Sequence, residues 1–210
     1  AATENGSAHY IVTEYVEGET LRQRMTNAPH NRMKVAEAVD VAAQVAARLA
    51  AAHEAGIAHR DIKPENVMIR RDGYVKVLDF GLAKLIEPSA RGVDTQAPTA
   101  SGASTQAGIV IGTPRYMSPE QARGEKVDIR TDIFSLGVML YEMVAGRAPF
   151  EGATPSETIA SILRDEPAPL IRQVPEAPPE LERIVCRALA KDRAERYQRQ
   201  PAKDLLNDLN

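Results

Sequence analysis

Hydrophobic residues recur at intervals of three and four along most of the chain, which predicts a mainly α-helical protein. The longest segment with this spacing runs from Lys34 to Ala55, and Gly56 after it is typical of a helix C-terminus. The same spacing predicts a short helix over residues 20–25 and longer ones over 131–145, 155–165, 179–190 and 201–209.

Alternating apolar and polar residues occur in a few short segments, which predicts a small β-sheet beside the helices. These segments are HYIVTEYV at 9–16, NVMIR at 66–70 and YVKVLDF at 74–80. Asp72 and Gly73, between the last two, are typical of a hairpin turn. Residues 87–108 lose periodicity and are rich in Ser, Thr, Ala, Gly and Pro, which predicts a mobile loop. The predicted fold class is α+β, mainly α with a small β patch.

The net charge, the apolar runs and the cysteine count limit which partners and locations we expect for the chain. The chain has 210 residues and a net charge of −3 without a basic cluster, so nucleic acid is not an expected partner. We expect no membrane segment in this chain, because the apolar runs are short and interrupted by charge, and AATENGSAHY does not resemble a signal peptide. The single cysteine, Cys186, excludes an intrachain disulfide and favours a reducing, cytoplasmic location. Its neighbours in IVCRAL predict a buried helical position.

The segment IAHRDIKPENVMI at 57–69 holds the residue types that phosphoryl transfer needs. Asp61 could accept the proton of a hydroxyl nucleophile, and Lys63 could neutralise a phosphate. Asn66 offers a neutral oxygen to a hard cation such as magnesium. A second acidic ligand is required, and Asp79 in LDFGL is the candidate. This set predicts a phosphoryl-transfer site that holds Mg²⁺.

Four motifs in order resemble the eukaryotic-type (Hanks-type) serine/threonine protein kinases of bacteria. They are HRDIKPEN at 59–66, DFG at 79–81, GTPRYMSPEQ at 112–121 and DIFSLG at 132–137. The resemblance implies a protein-kinase-like C-terminal helical lobe over residues 17–210, after a residual hinge strand of the N-terminal lobe at 1–16. It also implies a catalytic loop at 57–69 and an activation segment at 79–121.

The resemblance assigns roles to residues at the reacting centre. It implies that Asp61 is the catalytic base, that Lys63 contacts phosphate, and that Asn66 and Asp79 are magnesium ligands. Thr113 is expected to bond to Asp61 and Lys63 and to help hold the acceptor hydroxyl. The resemblance also implies that ATP is the phosphoryl donor and that Ser and Thr residues of protein substrates are the acceptors.

Further residues are assigned to adenine and to support of the site. The resemblance implies that Glu14 and Val16 offer backbone groups to adenine and that Met68 lies beneath it. Two supporting roles are expected: Asp132 accepts backbone N–H bonds of the catalytic loop, and Glu120 pairs with Arg196 in a buried ion pair. His59 is expected to be a packed core residue, Phe80 to pack as well, and Arg60 to bind a phosphate on the loop, with Thr105 the first candidate.

The N-terminal lobe of the family has no counterpart in the sequence. No G-x-G-x-x-G motif precedes the first predicted strand, and the first lysine, Lys34, follows it. This predicts a C-terminal lobe without its N-terminal lobe, and nearly no turnover by the chain alone. An alternative is a non-catalytic scaffold or binding module derived from such a lobe. A kinase dimer partner, and a membrane anchor in the parent protein beyond Asn210, stay open.

Overall fold

The computed structural model describes residues 14–80 and 114–210 of the chain. Within these ranges the strands are β1 (Gly18–Thr20), β2 (Val67–Arg70) and β3 (Val75–Val77). The helices are α1 (Leu21–Asn27), α2 (Val35–Glu54), α3 (Pro119–Ala122), α4 (Arg130–Ala145), α5 (Pro155–Arg164), α6 (Leu170–Gln173), α7 (Pro179–Ala188) and α8 (Pro201–Leu209). Single 3-10 turns occur at Pro29–Asn31, Pro64–Asn66 and Pro114–Tyr116. The predicted mainly α content with a small β patch is confirmed.

The sheet is antiparallel, with strand order β1-β2-β3. The predicted β2–β3 hairpin is confirmed, and β1 adds to its other edge with Glu19 opposite Ile69. Gly18 suits this place because a Cβ there would lie 2.2 Å from the carbonyl oxygen of Ile69. The strand predicted at residues 9–16 is not seen in its described part, since Glu14 and Tyr15 have no strand structure. Residues 9–13 of this predicted strand and the predicted loop at 87–108 lie outside the described residues.

Helix α4 lies at the centre of the helical layer, and its residues from Thr131 to Ala145 are all buried. Helices α2, α7 and α8 pack against it, and α2 also contacts α8 and β3. A helix that is buried on every side requires such a complete shell of neighbours. Helix α4 ends at Gly146, where φ is 75°, a left-handed conformation that glycine adopts without strain. The predicted end of this helix is therefore confirmed.

The prediction that Cys186 is buried is wrong. The buried face of α7 consists of Leu181, Ile184, Val185 and Ala188, at the three-and-four spacing of one helix face. Cys186 follows Val185 by one residue, which turns it away from that face, and it is exposed. Within residues 14–80 and 114–210, no helix has the length and apolarity to cross a membrane.

Lys191 lies in an unusual environment just after α7. Its Nζ donates to the carbonyl of Ile162 at 2.7 Å and lies 3.5 Å from the ring centroid of Phe150. Burial lowers the pKa of Lys191 from 10.5 to about 8. The charged form is therefore disfavoured in the folded chain relative to the unfolded chain.

We expect a pH-dependent gain in stability from Lys191. Between pH 8 and 10.5 the unfolded chain binds this proton and the folded chain has lost it, so the free energy of unfolding rises with pH across this window. Below pH 8 the unfavourable contribution is fully present. Urea unfolding of the chain and of Lys191→Met at pH 7.5 and 10 measures the difference. Parallel pH dependence in the two proteins would contradict the assignment.

Candidate active site

The segment that carries Asp61 is attached to the central helix through Asp132. The Asp132 carboxylate is fully buried in the first turn of α4. It accepts hydrogen bonds from the backbone N–H groups of His59 at 2.8 Å and Arg60 at 2.7 Å. Arg60 has φ of 70°, an uncommon conformation for a residue with a Cβ, so these bonds also hold a strained backbone in place. The predicted anchoring role of Asp132 is confirmed.

His53, which the sequence did not single out, is a further partner of Asp132. It lies near the end of α2, and its Nε2 donates to Asp132 Oδ2 at 2.8 Å. Its Nδ1 is buried and has no hydrogen-bond partner within the described part of the chain. His53 therefore connects α2 to the same carboxylate that orients the catalytic loop. No motif in the sequence identifies this contact, because 79 positions separate the two residues.

His59 connects the catalytic loop to the segment that holds Asp79. The side chain is 1% exposed, which confirms the expected packed position. Its Nε2 donates to the carbonyl of Leu78 at 2.7 Å, and its ring packs edge-on against Phe80 at 4.7 Å. Phe80 is partly exposed, at 39%. The motif HRDIKPEN is thus adjacent in space to Phe80, and so to the described part of DFG.

The side chains of Lys63 and Asn66 both donate to one carboxylate oxygen of Asp61. Lys63 Nζ donates to Asp61 Oδ2 at 2.7 Å, and Asn66 Nδ2 donates to the same atom at 3.0 Å. Asn66 Nδ2 also donates to the backbone carbonyl of Asp61 at 2.9 Å. The Pro64–Asn66 turn makes this possible by folding Asn66 back over Asp61. The Asp61 carboxylate is thereby oriented, yet its side chain stays 56% exposed to an incoming group.

Asp79 lies beside Asn66. The backbone N–H of Leu78 donates to the carbonyl of Asn66 at 2.8 Å, so Asp79 follows directly after a residue bonded to Asn66. Asp79 has φ of 60°, which turns the chain sharply after β3. Among the described residues, no group of three or more His, Cys, Asp or Glu could hold a metal ion. An amide oxygen and a carboxylate fit magnesium, which commonly takes its remaining ligands from phosphate and water.

The residues predicted to contact adenine lie around the sheet. Met68 is in β2, opposite Thr20 and Lys76. Lys76 Nζ donates to both carboxylate oxygens of Glu14, at 2.6 and 2.5 Å, and these contacts hold the pKa of Glu14 below its ordinary value. Glu14 and Val16 line a cavity of about 280 Å³ whose lining does not include Met68. Thr113, Gly81 and Thr105 lie outside the described residues.

Comparison with known proteins identifies the family of the chain. A family model described as protein kinase domain matches residues 1–208. The chain belongs to the protein kinase domain family. The resemblance to kinases that the sequence motifs indicated is therefore confirmed at the level of the family.

Three bacterial serine/threonine-protein kinases are similar to this kinase domain. It is 42% identical over 199 residues to the serine/threonine-protein kinase PknB of Mycolicibacterium smegmatis, a match that covers 94% of this chain and 30% of that protein. It is 42% identical over 196 residues to a probable serine/threonine-protein kinase, SCO3848, of Streptomyces coelicolor, covering 93% of this chain and 27% of that protein. A third relative is the serine/threonine-protein kinase pkn3 of Myxococcus xanthus, 42% identical over 196 residues, with 90% and 34% covered. The chain thus spans well under half the length of these curated relatives.

The kinase domain contains the buried ion pair that its sequence predicted. Arg196 NH1 and NH2 donate to the two carboxylate oxygens of Glu120, at 2.8 and 2.9 Å. Both side chains are almost completely buried, at 0% and 3% exposure. Burial alone raises the pKa of Glu120, but the hydrogen bonds and charge of Arg196 outweigh it and hold that pKa below its ordinary value. The pair connects α3 to the segment before α8.

Asp61 borders a cavity whose lining combines residues of the sequence motifs with Arg22, which no motif includes. A cavity of about 600 Å³ contacts Asp61, Lys63 and Arg60, and Arg22 and Tyr116 also line it. Of these, the sequence placed Tyr116 in GTPRYMSPEQ but gave it no role. Arg22 lies in α1, and the sequence assigned no role to it. Only the folded chain brings these residues together.

Proposed function

We propose that the chain carries the catalytic loop of a serine/threonine protein kinase and transfers the γ-phosphoryl group of ATP to Ser or Thr hydroxyls of proteins. The observation that supports this most strongly is the convergence of Lys63 Nζ and Asn66 Nδ2 on Asp61 Oδ2. A lone carboxylate on a loop is common. A carboxylate oriented by a cation and an amide, with Asp79 on the adjoining segment, is what phosphoryl transfer requires.

In this proposal Asp61 accepts the proton of the acceptor hydroxyl. The carboxylate is held from below by Asp132 through the backbone and from the side by Asn66. Because its side chain is 56% exposed, an acceptor hydroxyl can approach it. Lys63 lies within 2.7 Å of Asp61 and places a positive charge next to the path of the transferred phosphoryl group. Thr113 is proposed to help hold the acceptor.

Magnesium is proposed to bind between Asn66 and Asp79. Asn66 uses its amide nitrogen for the two bonds to Asp61, so the amide oxygen is the atom that remains for a metal. Bound magnesium would neutralise the charge on the phosphates. The chain's own contribution is to hold Asn66 and Asp79 at fixed positions, through the Leu78 N–H bond to the Asn66 carbonyl and the packing of Phe80 on His59.

Adenine is proposed to bind against Glu14, Val16 and Met68. What supports this is Lys76, which is opposite Met68 in the sheet and donates to Glu14, so that it joins the two regions. The 210 residues contain no G-x-G-x-x-G motif to cover the phosphates, and no lysine precedes Lys34 to serve as the phosphate-pairing lysine of the N-terminal lobe. We therefore propose that these residues on their own bind nucleotide weakly and turn over slowly, since each such electrostatic donor contributes about a hundredfold or more to the rate.

Magnesium-dependent nucleotide binding tests the proposal without requiring turnover. We expect calorimetry to detect ADP binding with magnesium and to lose it after chelation by EDTA. Asp79→Asn should weaken magnesium-dependent binding by about tenfold or more, because a charged metal ligand is replaced by a neutral one. Asp165→Asn, which changes an exposed carboxylate just after α5, is the matched control and should bind as the parent chain does. Equal binding with and without magnesium, or an unaffected Asp79→Asn, would refute the metal site.

A further inference from the structure

The side-chain amide of Gln121 joins two segments of the candidate site. Its Nε2 donates to the backbone carbonyl of Arg60 at 2.8 Å. Its Oε1 accepts from the backbone N–H of Ser118 at 2.9 Å, and the N–H of Gln121 donates to Ser118 Oγ at 3.3 Å. Because an N–H can only donate and a carbonyl can only accept, the two partners determine which end of the amide faces which. Gln121 thus connects α3 to the catalytic loop, 61 positions away.

The backbone on either side of Arg60 is held by hydrogen bonds. The N–H of Arg60 donates to Asp132 Oδ1 in α4 at 2.7 Å, and the carbonyl of Arg60 accepts from Gln121 in α3. That carbonyl and the N–H of Asp61 belong to one planar peptide unit. The N–H of Asp61 donates to His59 Nδ1 at 3.3 Å. Gln121 and His59 therefore hold the two polar atoms of the peptide that leads into Asp61.

The conformation of Arg60 makes this support necessary. With φ of 70°, Arg60 lies in the left-handed region, which a residue with a Cβ adopts only where its surroundings hold it there. Lys63 and Asn66 bond to the carboxylate of Asp61, at the far end of that side chain. The place from which the side chain starts is set by the peptide before it. Gln121 acts on that peptide.

We propose that Gln121 is a positioning residue for the catalytic base, because its amide fixes the peptide before Asp61 and thereby ties the base to α3. The same side chain connects the motif GTPRYMSPEQ at 112–121 with HRDIKPEN at 59–66. The base then has its reactive position only when α3 is in place. This inference rests on the proposed function, since it concerns the reaction in which Asp61 is proposed to accept a proton.

Gln121→Glu separates this role from the role of Gln121 within α3. Gln121 is the third residue of a capping box, where Glu is as suitable as Gln, so the bond from the Ser118 N–H should persist. An ionised carboxylate has no hydrogen to donate to the Arg60 carbonyl and repels its oxygen. Gln121→Met is a second variant, which keeps the length of the side chain and removes both the donor and the acceptor.

Amide hydrogen exchange measures the proposed contact directly, by NMR on the isotope-labelled chain without nucleotide. In Gln121→Glu the amides of Arg60 and Asp61 should exchange about tenfold faster than in the parent chain, the effect of losing one hydrogen bond. The Ser118 amide should keep its parent rate, because its acceptor remains. In Gln121→Met all three amides should exchange faster.

Phosphoryl transfer should fall in the same variants through kcat. We expect Gln121→Glu to lower kcat for a Ser/Thr peptide by about tenfold to a hundredfold, since a small displacement of a catalytic group has effects of this size. KM for the peptide should change less than kcat, because the substitution acts through Asp61. Rates are divided by the folded fraction of each variant, which thermal melting provides.

Gln23 offers the matched control. It completes the same kind of capping box at α1, where its Oε1 accepts from the Thr20 N–H at 2.8 Å and its own N–H donates to Thr20 Oγ1 at 3.1 Å. Gln23→Glu makes the same chemical change at an exposed position. It should leave kcat and the exchange of Arg60 and Asp61 as in the parent chain.

Each outcome supports or overturns the inference. Parent exchange rates at Arg60 and Asp61 in both variants of Gln121 would overturn it, and so would equal acceleration in Gln23→Glu or throughout the chain, which indicates a general loss of stability. Faster exchange with an unchanged kcat would also overturn it. If Gln121→Glu does not fold, the same comparison in Gln121→Met decides. Absence of magnesium-dependent ADP binding would instead refute the proposed function, and the exchange rates do not depend on it.

Discussion

Asp61→Asn is expected to lower phosphoryl transfer by about a hundredfold to ten-thousandfold, the range that a positioned general base contributes. Asn has nearly the shape of Asp and can still accept from Lys63 Nζ and Asn66 Nδ2, so the loop geometry should persist. What disappears is the negative charge and the ability to take the hydroxyl proton. The measurement is incorporation of γ-labelled phosphate from ATP into a Ser/Thr peptide, followed over hours because turnover is expected to be slow.

The controls for Asp61→Asn separate chemistry from binding. Magnesium-dependent ADP affinity should change only a few-fold, because Asp61 is not a proposed metal ligand. Asp165→Asn, which removes an exposed carboxylate just after α5, should transfer phosphate at the parent rate. Equal rates for the parent chain and Asp61→Asn would show that another group accepts the proton and would remove Asp61 from the mechanism.

Arg196→Met is expected to be the most destabilising single change outside the reacting centre. It leaves the Glu120 carboxylate buried without its cation, which costs about 3–5 kcal/mol in comparable cases. It also removes the donors to the carbonyls of Ala190 at 2.8 Å and Arg130 at 3.1 Å. For a chain of this length the corresponding drop in melting temperature is about 6–20 °C. Calorimetry or thermal circular dichroism measures it.

Two further variants show whether the uncompensated charge is the cause. Arg183→Met breaks an exposed ion pair and should leave the melting temperature nearly unchanged. Glu120→Leu combined with Arg196→Met removes both charges and should be more stable than Arg196→Met alone. Recovery will be partial, since Thr131 Oγ1 also donates to Glu120, at 2.8 Å. A double variant as unstable as the single one would mean that lost packing, not charge, dominates.

Local patterns predicted the helices closely. Residues 155–165 and 201–209 correspond to α5 and α8 within one residue at each end, and Gly146 ends α4 as expected. These features depend on short windows of chain, where side-chain period and backbone preference act directly. The prediction for Cys186 was wrong for a related reason, since one residue along a helix is a rotation of about 100° and decides burial.

The resemblance to the kinase family predicted part of the site. It correctly assigned Asp132 to the catalytic-loop backbone and Glu120 to Arg196, although 76 positions separate the latter pair. It also selected Asp61, Lys63 and Asn66, which the structure joins by hydrogen bonds, while their chemical roles stay predictions. It did not identify the contacts of Arg22, because the sequence around residue 22 is that of an ordinary exposed helix.

The sequence by itself determined the mainly helical class, most element boundaries and the residues that belong to the phosphoryl-transfer motifs. These are encoded locally, by residue type and spacing. The tertiary structure alone decided that Arg22 meets Glu65 and Glu142, 43 and 120 positions away, and that His53 lies under the catalytic loop. Contacts of this kind depend on how α1, α2 and α4 pack. The sequence gives the type of a residue but not whether its guanidinium or carboxylate faces water or a buried partner.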